Sequence, residues 1–194
     1  GPAPREEGEL RRPVEEARGA GARRAKRVYD VASREFRRLP SDLPPEVLVP
    51  YSEMLVRPMR EELSRFGFQE LKTVAEVEAF FGEKSGTALL VVNSVCGCAA
   101  GMARPGAVEA IEGDVRPDRI ASVFAGQDLE ATARARGFFS DIPPSSPSMA
   151  LFKDGELVYF LPRHRIEGRD ASAVAGDLRQ AFVQFCAPAT AAVG

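Results

Sequence analysis

Two of the three cysteines in the sequence are separated by a single glycine, in the order Cys96, Gly97, Cys98. Three cysteines in a chain of 194 residues are too few to build a disulfide scaffold, so the close pair indicates thiol chemistry in a reducing compartment. Gly97 keeps the turn short enough for the thiol of Cys98 to reach Cys96. We therefore expect a redox-active cysteine pair in a cytoplasmic protein.

The segments on either side of the pair indicate which thiol reacts. Residues 87–92 form a continuous apolar run, typical of a central strand that is covered on both faces. A helix rich in small residues is expected from Ala99 to Ile111, with a kink at Pro105. Cys96 then lies between the carboxyl end of a strand and the start of a helix, where free N–H groups and the helix dipole favour a thiolate. This position predicts that Cys96 is the attacking thiol, at the sheet edge where open α/β folds bind ligands.

The remaining elements predict the fold. Apolar periodicity indicates helices over residues 52–66, 73–81, 128–136 and 167–185, and strands over 68–71, 120–125, 148–152 and 156–160. Asp154-Gly155 joins the last two strands as a hairpin, whereas the earlier strands alternate with helices and should be parallel. This order is typical of a thioredoxin-like α/β fold, in which helices flank a central mixed sheet.

A proline-rich segment, residues 143–147, precedes the strand over 148–152. Pro147 follows Ser146 directly before that strand, which makes their bond a candidate cis peptide. In thioredoxin-like folds such a loop lies beside the cysteines and offers backbone hydrogen bonds to an extended substrate. Ser146 and Pro147 are therefore predicted to support the site; the alternative is that the prolines only form a rigid turn.

The composition changes near residue 50. Residues 1–50 are rich in charged residues and proline, so we expect a mobile or partly helical charged extension, with any charged helix over Arg11 to Arg38. The thioredoxin-like domain is expected over residues 51–187, and a flexible tail over 188–194. The charged N-terminus does not resemble a signal peptide, and no apolar run approaches the roughly 20 residues of a membrane span. The net charge of −2 gives no general footprint for nucleic acid.

Four segments of the sequence resemble the signature segments of the bacilliredoxins, thioredoxin-like bacterial proteins with a Cys-Gly-Cys site: residues 92–105, 123–128, 144–151 and 162–168. The resemblance covers about Tyr51 to Cys186. It implies removal of bacillithiol from mixed disulfides on client proteins, with bacillithiol as the low-molecular-weight thiol co-substrate and no bound cofactor. It also implies that Cys96 attacks the mixed disulfide and takes up the small thiol, while Cys98 acts as a resolving or modulating thiol.

Two other functions use the same cysteines. The first is a general protein disulfide reductase or weak isomerase, which the sequence does not separate from the bacilliredoxin activity. The second is a metal-binding module, in which His164 and Cys186 would complete four zinc ligands with Cys96 and Cys98 although both are distant in sequence. We interpret Cys186 as a packed small residue and His164 as a surface residue rather than a base. The sequence therefore favours no metal site.

Overall fold

The computed structural model describes residues 27–30, 35–38 and 51–187. Strands β1 (Arg27–Asp30) and β2 (Glu35–Arg38) pair antiparallel as a separate two-stranded sheet. These eight positions are strands and so do not belong to the charged helix that Arg11 to Arg38 could form. The other residues of the predicted extension, and the predicted tail over 188–194, lie outside the described residues. Their mobility stays a prediction.

A five-stranded sheet forms the centre of the domain. Its strands are β3 (Gln69–Glu70), β4 (Thr87–Asn93), β5 (Arg119–Phe124), β6 (Ser148–Lys153) and β7 (Glu156–Leu161), in the order β3-β5-β4-β6-β7. The first three strands are parallel, and β6 and β7 are added antiparallel to them. The predicted mixed sheet is confirmed, and with it the thioredoxin-like fold.

The predicted hairpin between β6 and β7 is also confirmed. Asp154 and Gly155 both have positive φ, 52° and 85°. A two-residue hairpin turn of this kind matches the right-handed twist of the strands, and it favours an Asp-Gly pair. The turn therefore fixes the strand pairing at the edge of the sheet.

Helices cover both faces of the sheet: α1 (Glu53–Ser64), α2 (Val74–Gly82), α3 (Arg104–Ile111), α4 (Leu129–Arg136) and α5 (Ala171–Phe185). Strand β4 is buried along its whole length because alternate side chains enter two separate cores. Leu89 and Val91 pack with α3 and α5, whereas Leu90 and Val92 pack with α2 and α4. No helix in the described ranges is long and apolar enough to cross a membrane.

Two helix predictions need correction. The segment predicted as one helix kinked at Pro105 is a π-helical turn, Ala99–Ala103, followed by α3, and Pro105 lies in the first turn of α3. The N–H of the preceding residue, Arg104, donates to the carbonyl of Ala99 in the π-helical turn, so the helical segment continues across this junction although proline itself has no N–H to donate. The last helix begins at Ala171 rather than Glu167, since Gly168 has a φ of +78° and Asp170 caps the helix by accepting the N–H of Ala173.

Candidate active site

Cys96 lies three residues beyond the end of β4 and just before the π-helical turn. Its Sγ accepts the backbone N–H of Ala99 at 3.3 Å and lies 3.3 Å from Ser94 Oγ. Its carbonyl also accepts the N–H of Ala99 and of Ala100. Because Ala99 N–H and the Ser94 hydroxyl can both donate to a negatively charged sulfur, they favour a thiolate once the cysteine is reduced. This geometry suits an attacking thiol.

The two cysteines differ in accessibility. They are joined by a disulfide with a Cα–Cα distance of 5.4 Å. Cys96 is half-buried, whereas Cys98 is only 7% exposed. Gly97 between them is exposed, and a Cβ at this position would meet nothing within 4 Å, so the structure shows no steric need for glycine there. A molecule arriving from solvent therefore reaches Cys96 before Cys98.

The predicted cis peptide bond between Ser146 and Pro147 is confirmed. Ser148, the next residue, pairs with Val92 at the carboxyl end of β4, and Cys96 follows Val92 by four residues. The loop that contains Pro147 and the loop that contains Cys96 thus leave the sheet at the same edge. The supporting role of Ser146 and Pro147 toward a substrate stays a prediction.

Comparison with known proteins agrees with this arrangement. The family model described as "Disulphide isomerase" matches residues 51–186. A bacilliredoxin of Bacillus licheniformis is 53% identical over 137 residues, which cover 70% of this chain and 95% of the relative. A bacilliredoxin of Salinibacter ruber is 53% identical over 140 residues, covering 71% and 82%. The chain belongs to the bacilliredoxin family. It is therefore a thiol–disulfide oxidoreductase with redox-active cysteines.

Solved structures of thioredoxins are more distant from this bacilliredoxin. The thioredoxin of Fasciola hepatica has a TM-score of 0.42 and 18% identity, over 61% of this chain and 99% of its own. The oxidised thioredoxin of Plasmodium falciparum has a TM-score of 0.43 and 14% identity, over 60% and 99%.

Sequence reasoning did not find a buried arginine behind the cysteine loop of this bacilliredoxin. The side chain of Arg104 is only 2% exposed. Its Nη1 donates to Asn93 Oδ1 at 3.2 Å and to the carbonyl of Ser94 at 3.1 Å, while its Nε donates to Glu62 Oε2 at 2.6 Å. Asn93 Oδ1 also accepts the N–H of Ser94 at 2.8 Å. Arg104 thus holds the last residue of β4 and the first residue of the loop that leads to Cys96.

We expect Arg104→Met to loosen this loop. The substitution keeps an unbranched apolar stem but removes four hydrogen bonds, so the free energy of unfolding should fall by about 2 kcal/mol. Alkylation of reduced Cys96 by iodoacetamide should slow by about tenfold, because a looser loop holds the sulfur less well against the N–H of Ala99 and the hydroxyl of Ser94. Urea denaturation and peptide mapping of the alkylated protein measure the two effects.

The control for this prediction is Arg65→Met on the exposed surface of α1. The side chain of Arg65 is 71% exposed and, among the described residues, pairs only with Glu61, so its loss should change stability by less than about 0.5 kcal/mol. If both substitutions have the same small effect, Arg104 does not position the loop.

A second buried arginine lies next to Met59, whose carbonyl accepts Asn93 Nδ2 at 3.2 Å. Arg60 is 5% exposed and donates to both carboxylate oxygens of Asp128 at 2.8 Å. Burial lowers the pKa of Arg60, but the hydrogen bond to Asp128 and the nearby carboxylates raise that pKa overall. Asp128 was expected to start α4; it occupies the N-cap position, but its side chain pairs with Arg60 instead of capping the helix.

The four candidate zinc ligands do not come together. Cys186 lies beside Thr87 at the start of β4, whereas Cys96 follows the other end of this seven-residue strand, about 20 Å away. Burial raises the pKa of the Cys186 thiol, which makes it a weaker nucleophile at neutral pH. His164 is exposed and lines a cavity beside Pro143 and Pro144. Among the described residues, no three histidine, cysteine or acidic side chains form a metal-sized cluster.

Proposed function

We propose that this bacilliredoxin removes bacillithiol from mixed disulfides on cytoplasmic client proteins, with Cys96 as the nucleophile and Cys98 as the resolving thiol. The observation that carries the proposal is the asymmetry of the pair: Cys96 is accessible and contacts two potential donors, while Cys98 is buried behind it. The sequence match to bacilliredoxins over 70% of the chain supports bacillithiol as the small thiol.

The first step is a thiol–disulfide exchange at Cys96. The Cys96 thiolate attacks the bacillithiol sulfur of the mixed disulfide, the client sulfur leaves as a thiolate, and that thiolate takes a proton from solvent. The product is a disulfide between Cys96 and bacillithiol. Ser94 Oγ and Ala99 N–H, both 3.3 Å from Cys96 Sγ, stabilise the negative charge before the attack.

The second step releases bacillithiol from Cys96. The thiolate of Cys98 attacks Cys96, bacillithiol leaves as a thiolate, and the disulfide between Cys96 and Cys98 forms. Two molecules of a low-molecular-weight thiol then reduce this disulfide and are oxidised to a disulfide of their own, which leaves Cys96 and Cys98 as thiols. A molecule of the same thiol can instead attack the bacillithiol sulfur of the adduct, which releases the Cys96 thiolate and forms a disulfide between the two small thiols. Cys98 then only modulates the reaction.

Reduction or isomerisation of protein disulfides is the second candidate function. It is favoured by the description of the matching family model and by the ability of Cys96 and Cys98 to form a disulfide with each other. Both functions begin with attack by Cys96. They differ in whether the sulfur that becomes bonded to Cys96 belongs to a small thiol or to a protein.

The test mixes a single-cysteine client protein loaded with bacillithiol with the reduced chain and, in parallel, with its Cys98→Ser variant. We expect the intact mass of the client to fall to that of its free thiol within minutes, with a matching gain on the Cys98→Ser chain. A client that keeps its bacillithiol, while a second client with an internal disulfide is reduced, contradicts bacillithiol removal and supports the second function.

Residues 1–49 are expected to be dispensable for the chemistry. The family match begins at residue 51, and these residues offer little apolar surface for burial against the domain. We expect their deletion to leave the rate of thiol transfer and the melting temperature nearly unchanged, as measured by the client assay and by calorimetry. A drop in melting temperature of more than about 4 °C, corresponding to roughly 1 kcal/mol or more, contradicts this expectation.

A further inference from the structure

Arg136, the last residue of α4, has no acidic partner among the residues that the structure describes. Its Nη2 donates to the carbonyl of Ser145 at 3.5 Å, and within the described ranges its side chain forms no other hydrogen bond and no salt bridge. Its Nε is enclosed and unpartnered. By contrast, Arg134 in the same helix pairs with Glu78. Burial lowers the pKa of Arg136, as expected for a guanidinium that has lost water without gaining a carboxylate.

The position of Arg136 relates it to the active site. Ser145, the acceptor of its hydrogen bond, directly precedes the Ser146–Pro147 peptide bond. The carbonyl of Ser145 also accepts Ser148 Oγ at 2.8 Å, and Ser148 pairs with Val92 at the strand end that leads to the cysteines. The guanidinium therefore lies against the loop that leaves the sheet at the same edge as Cys96.

A cavity begins at the same loop. It has a volume of about 440 Å³ and is lined by apolar residues such as Pro144 and Phe160 and by the polar Ser145, Arg163, His164 and Glu167. Cavities of this size hold small molecules, and apolar walls with a few polar groups are typical of them. Ser145 lines this cavity and also accepts the hydrogen bond of Arg136, so a small thiol bound along the loop has room for its body beside the residue that the guanidinium contacts.

We infer that Arg136 is an anion subsite that binds a carboxylate of the small thiol carried to Cys96. A guanidinium stays protonated at any physiological pH, and its planar donors match a carboxylate with two parallel hydrogen bonds. Binding an anion there compensates a charge that the fold leaves unpaired. This inference rests on the proposed function, because it assigns a substrate group to the transfer reaction at Cys96.

The test compares two mixed disulfides of one client protein. One carries 3-mercaptopropionate, which has a carboxylate, and the other carries 2-mercaptoethanol, which has none. The kcat/KM of transfer to Cys96 is measured for the natural chain and for Arg136→Gln, Arg136→Lys and Arg134→Gln. Taking the ratio of the two substrates within each chain removes differences in the intrinsic reactivity of the two thiols.

We expect Arg136→Gln to lower kcat/KM for the mercaptopropionate substrate by about tenfold and to leave the mercaptoethanol substrate within about twofold, since a charge-assisted bidentate pair is lost. Arg136→Lys should recover part of the preference, and Arg134→Gln should not change it. Equal losses on both substrates show that Arg136 only holds Ser145, and they overturn the inference. Failure of the natural chain to transfer either thiol contradicts the proposed function instead.

A second measurement does not depend on the stability of the variants. In the natural chain, the Nε–H signal of Arg136 should shift on titration with 3-(methylthio)propionate, an unreactive carboxylate, and should not shift with 2-(methylthio)ethanol. Comparison with the spectrum of Arg136→Lys assigns the signal. A signal that responds to neither compound, or equally to both, overturns the inference.

Discussion

Cys96→Ser is expected to abolish thiol transfer, while Cys98→Ser keeps the first attack and accumulates a mixed disulfide on Cys96. The difference follows from geometry: Ala99 N–H and the Ser94 hydroxyl contact the sulfur of Cys96, whereas Cys98 is 7% exposed. Losing the attacking thiolate leaves no nucleophile that the client can reach, so transfer should fall by a factor of at least about 1000. Mass spectrometry under single-turnover conditions measures the amount of thiol transferred to each variant.

The matched control for this prediction is Cys186→Ser. This thiol follows α5 and lies beside Thr87, at the end of β4 opposite to Cys96. Its transfer rate should stay within about twofold of the natural chain, because burial disfavours the thiolate of Cys186. An active Cys96→Ser chain together with an inert Cys98→Ser chain shows that the two cysteines have the opposite roles.

Gly106→Ala is expected to cause the largest loss of stability among small substitutions outside the site. Gly106 is buried in α3, and a Cβ there would lie 2.7 Å from Val174 Cγ1 and 2.9 Å from the carbonyl oxygen of Ala171 in α5. Relieving this clash forces the two helices apart, so we expect the free energy of unfolding to fall by about 2 to 3 kcal/mol. Urea denaturation measures the change.

Gly176→Ala is the control, because the glycine is exposed on α5 and a Cβ there would meet nothing within 4 Å. Alanine is the better helix former, so this change should raise stability by about 0.5 to 1 kcal/mol. Stabilisation by both substitutions would show that α3 and α5 are not in close contact at Gly106.

The parts of the fold that could be predicted from sequence are those with local causes. The apolar run of β4 predicts a strand covered on both faces, and the Asp154-Gly155 turn predicts the hairpin of β6 and β7. Thr73 caps α2 together with Glu76, three residues later. The π-helical turn over Ala99–Ala103 has no such signal, since alanine and glycine favour no particular helix type.

The same distinction applies to the site. The cysteine pair and the Ser146–Pro147 bond are visible as short motifs. Arg104 is not, because its partners Glu62 and Asn93 lie 42 and 11 residues away and belong to other elements. The pair of Arg60 and Asp128 spans 68 residues for the same reason. From sequence alone a charged residue is expected to be exposed, and only the fold shows the partners that allow it to be buried.

One measurement tests bacillithiol transfer to Cys96 most directly. A single-cysteine client is prepared in two forms, one carrying bacillithiol and the other glutathione, and an equal mixture is added to the reduced Cys98→Ser chain. Intact mass and peptide mapping then identify the adduct on Cys96. We predict a bacillithiol adduct at residue 96 in clear excess over glutathione; an equal or greater glutathione adduct, or a protein–protein disulfide in place of both, contradicts it.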